Sequence, residues 1–197
     1  MQYNPKDTYF EKAKREGYRA RSIYKLEAIQ QAFHILKKGD RVLDLGAAPG
    51  SFLQYISRLI GSKGRVVGVD LKEIKPFKAK NIFTVVADVL DEEDLGKKLA
   101  KEGAECFNVI VSDMAPNTSG IPFLDGGRSQ TLNEQVLKIA EKYLAPDGHM
   151  VLKLLPGVNE GELIRPMKQS FKEVRHFRPQ ATRRTSGEFY LVGLHRK

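Results

Sequence analysis

The segment Val42-Leu-Asp-Leu-Gly-Ala-Ala-Pro-Gly-Ser-Phe52 constrains this chain more than any other. A short apolar run leads directly into a glycine-rich turn and then into an amphipathic stretch, Ser51 to Ile60. Strand, turn and helix in that order open an α/β domain, and the turn lies where such a domain cradles a nucleoside. Gly46 and Gly50 carry no Cβ, so the backbone there can approach a ligand closely. Asp44 brings a carboxylate to the strand's end. The glycines do not follow the G-x-G-x-x-G spacing, and Ala47-Ala48-Pro49 replaces the tight diphosphate turn. In isolation, an ordinary βα turn would read the same way.

The rest of the chain extends the pattern. Short, nearly continuous apolar runs predict strands at Arg41–Leu45, Arg65–Val69, Ile82–Val86, Phe107–Ser112 and His149–Leu154. Such runs are expected where helices cover both faces of a parallel sheet. Helices are predicted at Asp7–Glu16, Ser22–Phe33, Ser51–Ile60, Glu92–Lys101, Ser129–Tyr143 and Glu160–Ser170. Glu173–His176 and Phe189–Leu194 then read as an antiparallel edge pair. The expected fold is therefore α/β and Rossmann-like: a mostly parallel seven-stranded sheet, helices on both faces, and an antiparallel C-terminal pair. That is the architecture of the S-adenosylmethionine (SAM)-dependent methyltransferases. At 197 residues without internal repeats, one domain is expected, with 1–38 as a basic helical extension packed on it.

The loops after Leu45, Asp70, Asp88 and Ser112 all follow strand carboxyl ends, the edge where open α/β sheets bind ligands. Asp70 closes Val66-Val-Gly-Val-Asp70, about 20 residues past the glycine turn, and is placed to accept ribose hydroxyls. Asp88 is placed to accept the exocyclic amine of adenine, and Phe52 to pack beside the cofactor. Such a pocket suits the adenosine and methionine parts of SAM better than a dinucleotide. Asp70 and Asp88 could equally end their strands as turn formers or helix caps.

A net charge of +9 favours a polyanionic partner. Two basic stretches suit RNA: Lys12-Ala-Lys-Arg15 with Arg19 and Arg21, and Arg175 to Arg184, where Phe177 adds a stacking surface. Cys106 is the single cysteine, which excludes an internal disulfide and a cysteine-rich metal site. No His/Cys/carboxylate cluster argues for a metal, and none is expected. No apolar run approaches the roughly 20 residues that span a bilayer. Met1 to Asp7 has no signal-peptide core, so a soluble, cytoplasmic protein is expected, with no membrane and no obligate protein partner.

Ser112-Asp-Met-Ala-Pro-Asn117 places the carboxylate of Asp113 beside a proline-fixed turn after a buried strand. Asn117 stands where adenine-N6 methyltransferases carry an aromatic, and no Pro-Cys pair provides a cytosine-C5 nucleophile, so base methylation is disfavoured. Lys153 lies inside the apolar run Val151-Leu-Lys-Leu-Leu155, where an unpaired ammonium is costly unless it snorkels to the surface. Lys25 and Glu188, taken alone, read as a helix charge and a hairpin-edge charge. A lysine near a second cation and apolar walls loses basicity and can accept a proton from a ribose hydroxyl.

Together these segments closely resemble the FtsJ/RrmJ (RlmE) family of ribosomal RNA 2′-O-ribose methyltransferases. The resemblance rests on Tyr18-Arg-Ala-Arg-Ser-Ile-Tyr-Lys-Leu26, Asp44-Leu-Gly-Ala-Ala-Pro-Gly50, Ser112-Asp-Met-Ala-Pro-Asn117 with Ser119-Gly120, and Leu144-Ala-Pro-Asp-Gly148. It implies a catalytic tetrad of Lys25, Asp113, Lys153 and Glu188. It implies a SAM site involving Gly46 to Gly50, Phe52, Asp70, Asp88 and Asp113, and a uridine of 23S ribosomal RNA in the large subunit as target. Phe52 replaces the family's usual tryptophan, and Leu154-Leu-Pro-Gly157 and Gly120 to Arg128 depart from its bacterial pattern on the expected RNA-facing rim. A nicotinamide-dependent oxidoreductase and a non-catalytic RNA-binding module are the competing classes.

Overall fold

The computed structural model describes residues 8–116, 122–183 and 186–197, with 122–125 as backbone only. Asp7, Asn117, Ser119, Gly120 and Arg184, all named above, lie outside the described residues. Seven strands form one sheet in the order β3-β2-β1-β4-β5-β7-β6. They are β1 (Arg41–Leu45), β2 (Arg65–Asp70), β3 (Ile82–Val86), β4 (Phe107–Ser112), β5 (Leu144–Leu154), β6 (Phe171–Phe177) and β7 (Phe189–Arg196). The first five run parallel, and β7 is antiparallel to both β5 and β6. The helices are α1 (Thr8–Arg15), α2 (Ile23–Phe33), α3 (Ser51–Ile60), α4 (Glu92–Lys101), α5 (Pro122–Tyr143) and α6 (Glu160–Ser170).

Side-chain alternation along the strands divides the core in two. Val42, Val66, Val109, Val111 and Val151 pack with Leu26, Ile29, Leu53 and Ile56 of α2 and α3. Leu43, Leu45, Val67, Val69 and Ile110 pack on the other face with α4, α5 and α6 through Leu95, Val136, Ile139 and Leu163. Both faces being covered, the central strands have to be largely apolar. Gly68 belongs in β2 because α3 lies directly on it: a Cβ there would sit 2.6 Å from Leu53. Helix α4 begins on Asp91, whose carboxylate accepts the Asp94 N–H at 3.0 Å, a cap that satisfies an otherwise orphaned donor.

Two elements begin five or more residues before their predicted starts. Leu144 already pairs with Phe107, five residues before His149 pairs with Val109. Pro146-Asp147-Gly148 is thus a turn looped out within β5, with Asp147 at φ 60°. Helix α5 starts at Pro122 rather than Ser129 and runs through Gly126 and Gly127. Its approach leaves no room for a side chain at Gly126, where a Cβ would lie 2.7 Å from the Gly157 carbonyl. Among the described residues, no helix is long and apolar enough to cross a membrane.

His149 on β5 is 7% exposed, and its Nδ1 accepts the backbone N–H of His195 at 3.2 Å. Burial, with the nearby charges of His195 and Lys37, pushes its pKa down to about 4 from 6.5. The unfolded chain therefore binds a proton first as pH falls. This contribution to stability is complete above pH 6.5 and is lost between 6.5 and about 4. Melting temperatures of His149→Gln, measured across that range, are expected to fall less steeply with acid than those of the parent.

Candidate active site

Because β1 to β4 run parallel, their carboxyl ends converge on one edge of the sheet, and a cavity of about 300 Å³ opens there. Gly46, Ala48, Asp70, Asp88, Asp113 and Met114 are among its walls. Gly46 has φ 77°, and a Cβ on it would lie 2.5 Å from the Met114 side chain, so glycine is required by both conformation and space. Asp70 holds the turn in place. Its Oδ2 accepts the Ala48 N–H and its Oδ1 the Lys72 N–H, each at 2.9 Å. Each carboxylate oxygen has a second lone pair, so this structural role leaves acceptor capacity facing the cavity. Asp88 combines the same two roles, with its Oδ1 accepting the Leu90 N–H at 2.9 Å.

Not all of the predicted turn residues face the cavity. Ala47 is buried against Gly68, and Gly50 starts α3 at φ 103° beneath Phe77. Pro49 follows a cis peptide bond, and its carbonyl accepts from the Arg19 guanidinium at 3.0 Å. Phe52 lies in the core between α3 and the sheet, 3% exposed, and is not among the residues lining the cavity. The apolar face of α3 has to cover the sheet, and Phe52 is on that face. These four residues shape the turn rather than wall the pocket.

The two lysines of the expected tetrad are each paired. Lys153 is 6% exposed and does not snorkel. Its Nζ lies 3.2 Å from Asp113 Oδ1 and also donates to the Asp113 backbone carbonyl. Lys25 forms an ion pair with Glu188, with both side chains about one-eighth exposed. The tetrad thus contains two lysine–carboxylate pairs, Lys153 with Asp113 and Lys25 with Glu188. Pairing satisfies the desolvation cost that an isolated ammonium would carry in that strand.

Two further residues belong to this constellation. Tyr190, fully buried on β7, donates its hydroxyl to Asp113 Oδ1 at 2.7 Å and sits in register with Lys153. Burial, then the charge of Asp113, holds its phenol protonated well above the usual range. Its aromatic ring in an apolar strand gives no sequence signal for this role. Asp44 did carry a signal, as the acidic residue closing the glycine-turn strand. It is completely buried, and neither carboxylate oxygen has a hydrogen-bond partner among the described residues. Burial, with Asp113 and Asp70 nearby, raises its pKa well above the ordinary 3.8. Three carboxylates thus meet around one turn, an arrangement that a cationic ligand would relieve.

A second cavity, of about 290 Å³, adjoins the Lys25–Glu188 pair and is lined by Arg21, Ser22, Arg183 and Ser186. Glu188 is near enough to Tyr190 to act on its phenol, so the two ion pairs are linked through β7. There is thus an acidic chamber walled by Asp70, Asp88 and Asp113 and a basic chamber walled by Arg21, Lys25 and Arg183. Among the described residues, no cluster of three or more His, Cys, Asp or Glu side chains is arranged to hold a metal ion.

The sequence model of FtsJ-like methyltransferases matches residues 18–196. The ribosomal RNA large subunit methyltransferase E of Bdellovibrio bacteriovorus is 46% identical over 199 residues, covering the whole of both chains. Among solved structures, a Plasmodium falciparum protein described as a ribosomal RNA methyltransferase superposes with TM-score 0.80 at 26% identity, covering 91% of this chain and 98% of that one. Aeropyrum pernix fibrillarin, solved with natively bound SAM, shares the fold at TM-score 0.60 and 20% identity, over 86% and 76% of the two chains. The paired strand-end motifs and the match across nearly the full chain agree: the protein belongs to the FtsJ-like methyltransferase family and is a methyltransferase enzyme.

Proposed function

We propose that this chain, acting as a single catalytic domain in the cytoplasm, methylates the ribose 2′-oxygen of a uridine in 23S ribosomal RNA of the large subunit. The observation that carries this reading is the buried Lys153–Asp113 pair, whose carboxylate residue is a wall of the acidic chamber. The relatives' name supports a large-subunit ribosomal RNA target.

The acidic chamber fits SAM on two grounds of its own. The bare Gly46 backbone leaves room that any Cβ would close. The carboxylates of Asp70, Asp88 and Asp113 on the chamber's walls, with Asp44 buried and unpartnered among the described residues behind them, favour a positively charged ligand. Asp70 and Asp88 would hold the ribose and adenine, with Gly46, Ala48 and Asp113 walling the remainder. SAM, when bound, supplies a methyl group already activated by a sulfonium sulfur.

The chain's task is then orientation, the source of most of the rate gain when the donor is already reactive. Lys153 is the base or the group that orients the 2′-hydroxyl toward the methyl. The new C–O bond would form as the methyl's bond to sulfur breaks, releasing S-adenosylhomocysteine, and the hydroxyl proton would pass to a neutral Lys153 amine or to solvent. Asp113 fixes Lys153 through its carboxylate and its backbone carbonyl, and Tyr190 in turn fixes Asp113. Lys25 and Glu188 hold the target ribose at the mouth of the basic chamber. Arg21 and Arg183 supply the charge that RNA phosphates require.

Incubation with methyl-labelled SAM and large ribosomal subunits, naked ribosomal RNA or transfer RNA tests the reading, with nuclease digestion locating the label. Label on a ribose 2′-oxygen of the large subunit is expected. Label confined to transfer RNA would move the substrate, and label on a base would overturn the chemistry. Lys153→Ala is expected to abolish transfer while SAM affinity stays within a few-fold; comparable activity would remove the lysine's role. Tyr190→Phe is expected to lower kcat about tenfold, roughly 1.4 kcal/mol for the lost hydrogen bond to a charged acceptor, with little change in KM.

Asp44 yields a prediction in stability. Its folded pKa is raised, so its contribution is complete below about 3.8 and is lost as pH rises toward the folded value. Without SAM, Asp44→Asn is expected to raise the melting temperature near neutral pH, by about 2–4 °C per kcal/mol recovered. The same variant should show a smaller SAM-induced thermal shift than the parent. An unchanged shift would separate Asp44 from the cofactor.

A further inference from the structure

Beside the basic chamber, on the far side of α2, lies a groove of about 560 Å³ between α1, α2 and the connection from β6 to β7. We propose that it is a nucleotide-binding site that holds one unstacked base of the RNA close to the methylated ribose. The inference rests on the RNA-methyltransferase reading above and extends it to a site separate from the reacting atoms.

The first argument is what α2 presents. Tyr24, Glu27, Ala28 and Gln31 face the groove at positions i, i+3, i+4 and i+7, a stripe distinct from the Leu26 and Ile29 that pack on the sheet. Ala28 and Ala32 keep the floor low, leaving space for a flat group. The walls are aromatic. Tyr9 of α1 packs on Tyr24 with centroids 5.4 Å apart, and Phe177 at the end of β6 is braced edge-on by Phe33 at 5.3 Å. Both Tyr9 and Phe177 are half-buried and line the groove.

The second argument is the polar rim. Lys12 lies 4.4 Å over the Tyr24 ring, and Arg178 is exposed at the opposite lip, where it also donates to the Ser186 carbonyl. Gln31 and Gln180 expose amides that can both donate to and accept from a base edge. Rigid rings, cations for phosphate and amides for base edges are the combination that single-stranded RNA sites use.

Continuity with the reaction site is the third argument. The Arg21 guanidinium donates to the Ala181 carbonyl, so Arg21 and buried Ala181 form the partition between groove and basic chamber. Lys25 reaches the chamber on one side of α2 while its neighbour Tyr24 reaches the groove on the other. An RNA strand leaving the target ribose would pass Arg21 and Arg183 before its next base met Phe177 and Tyr9. A solvated basic face would require neither the aromatic walls nor the alanine floor.

Ala32→Glu, at an exposed helical position, places a carboxylate across the groove; Ala32→Lys places a cation there. With the intact enzyme and the RNA substrate, Ala32→Glu is expected to raise KM for RNA at least fivefold, with the SAM dissociation constant within twofold of the parent. Ala32→Lys, of similar bulk, should raise KM far less. A photo-crosslinking residue at Gln31 should capture a nucleotide within about three positions of the methylated one, the reach of a short extended strand. A KM for Ala32→Glu within twofold of the parent, or crosslinks only to distant or scattered nucleotides, would overturn the site. A parent enzyme that transfers no methyl to RNA would instead remove the functional reading, so the two failures are distinct.

Discussion

The ammonium of Lys153 is the constraint on which the site depends. A lysine on a buried strand demands an anion and a full set of acceptors, or it destabilises the sheet that carries it. Asp113 provides both, through its carboxylate and its own carbonyl. Sheet order is what delivers it. β4 pairs with β5 so that Ser112 lies beside Leu152, which brings the next residue of each strand together. β7 then pairs antiparallel on the other side of β5, setting Tyr190 against Lys153. Three strands far apart in the chain thus converge on one carboxylate, with each contact fixing the others. Removing one partner of such a buried network costs more than the bond itself, because the remaining groups lose their solvation without compensation.

The cofactor side is organised by the opposite imbalance. Carboxylates gather where β1, β2 and β4 end, and Asp44 among them has no partner within the described residues. Asp70 spends part of its bonding capacity on the backbone of the glycine turn and of Lys72. The pocket is thereby preorganised by the residue that would also bind the ligand, while a buried acid is left whose charge is unfavourable until a cation arrives. Strained or unsatisfied groups of this kind concentrate where binding has to supply the missing partner.

Helix α2 joins the two halves. Its core face holds the N-terminal region to α3, and its first turns direct Lys25 to the reaction site and Tyr24 to the neighbouring groove. Arg19 adds a second tie, stacking 3.7 Å from the centre of the Phe77 ring and donating to the carbonyls of Pro49 and Pro76. The basic N-terminal segment is therefore built into the cofactor turn rather than appended to it. On the proposed reading, RNA at that segment and the methyl donor at the turn would share one support.

Much of the fold was legible because local rules and burial agree along β1 and β4, whose apolar runs end where the strands do. The carboxylates at strand ends were legible for the same reason, since parallel strands always present those ends together. The turn at Pro146 to Gly148 was also plain, but that β5 continues before it is decided by Leu144 pairing with Phe107, a contact between distant residues. The early start of α5 likewise follows from its fit against Gly157, which two glycines in a row do not announce. At the site, composition and spacing determined which charged residues would be brought to the ligand edge. Only the tertiary structure decided the pairing: Lys153 with Asp113, Lys25 with Glu188, and Tyr190 reaching a carboxylate 77 residues away. It also turned Phe52 into the core, since α3 can cover the sheet only with its apolar face. Periodicity encodes which side of an element is buried, whereas partners across the sheet depend on strand order, which no single segment contains.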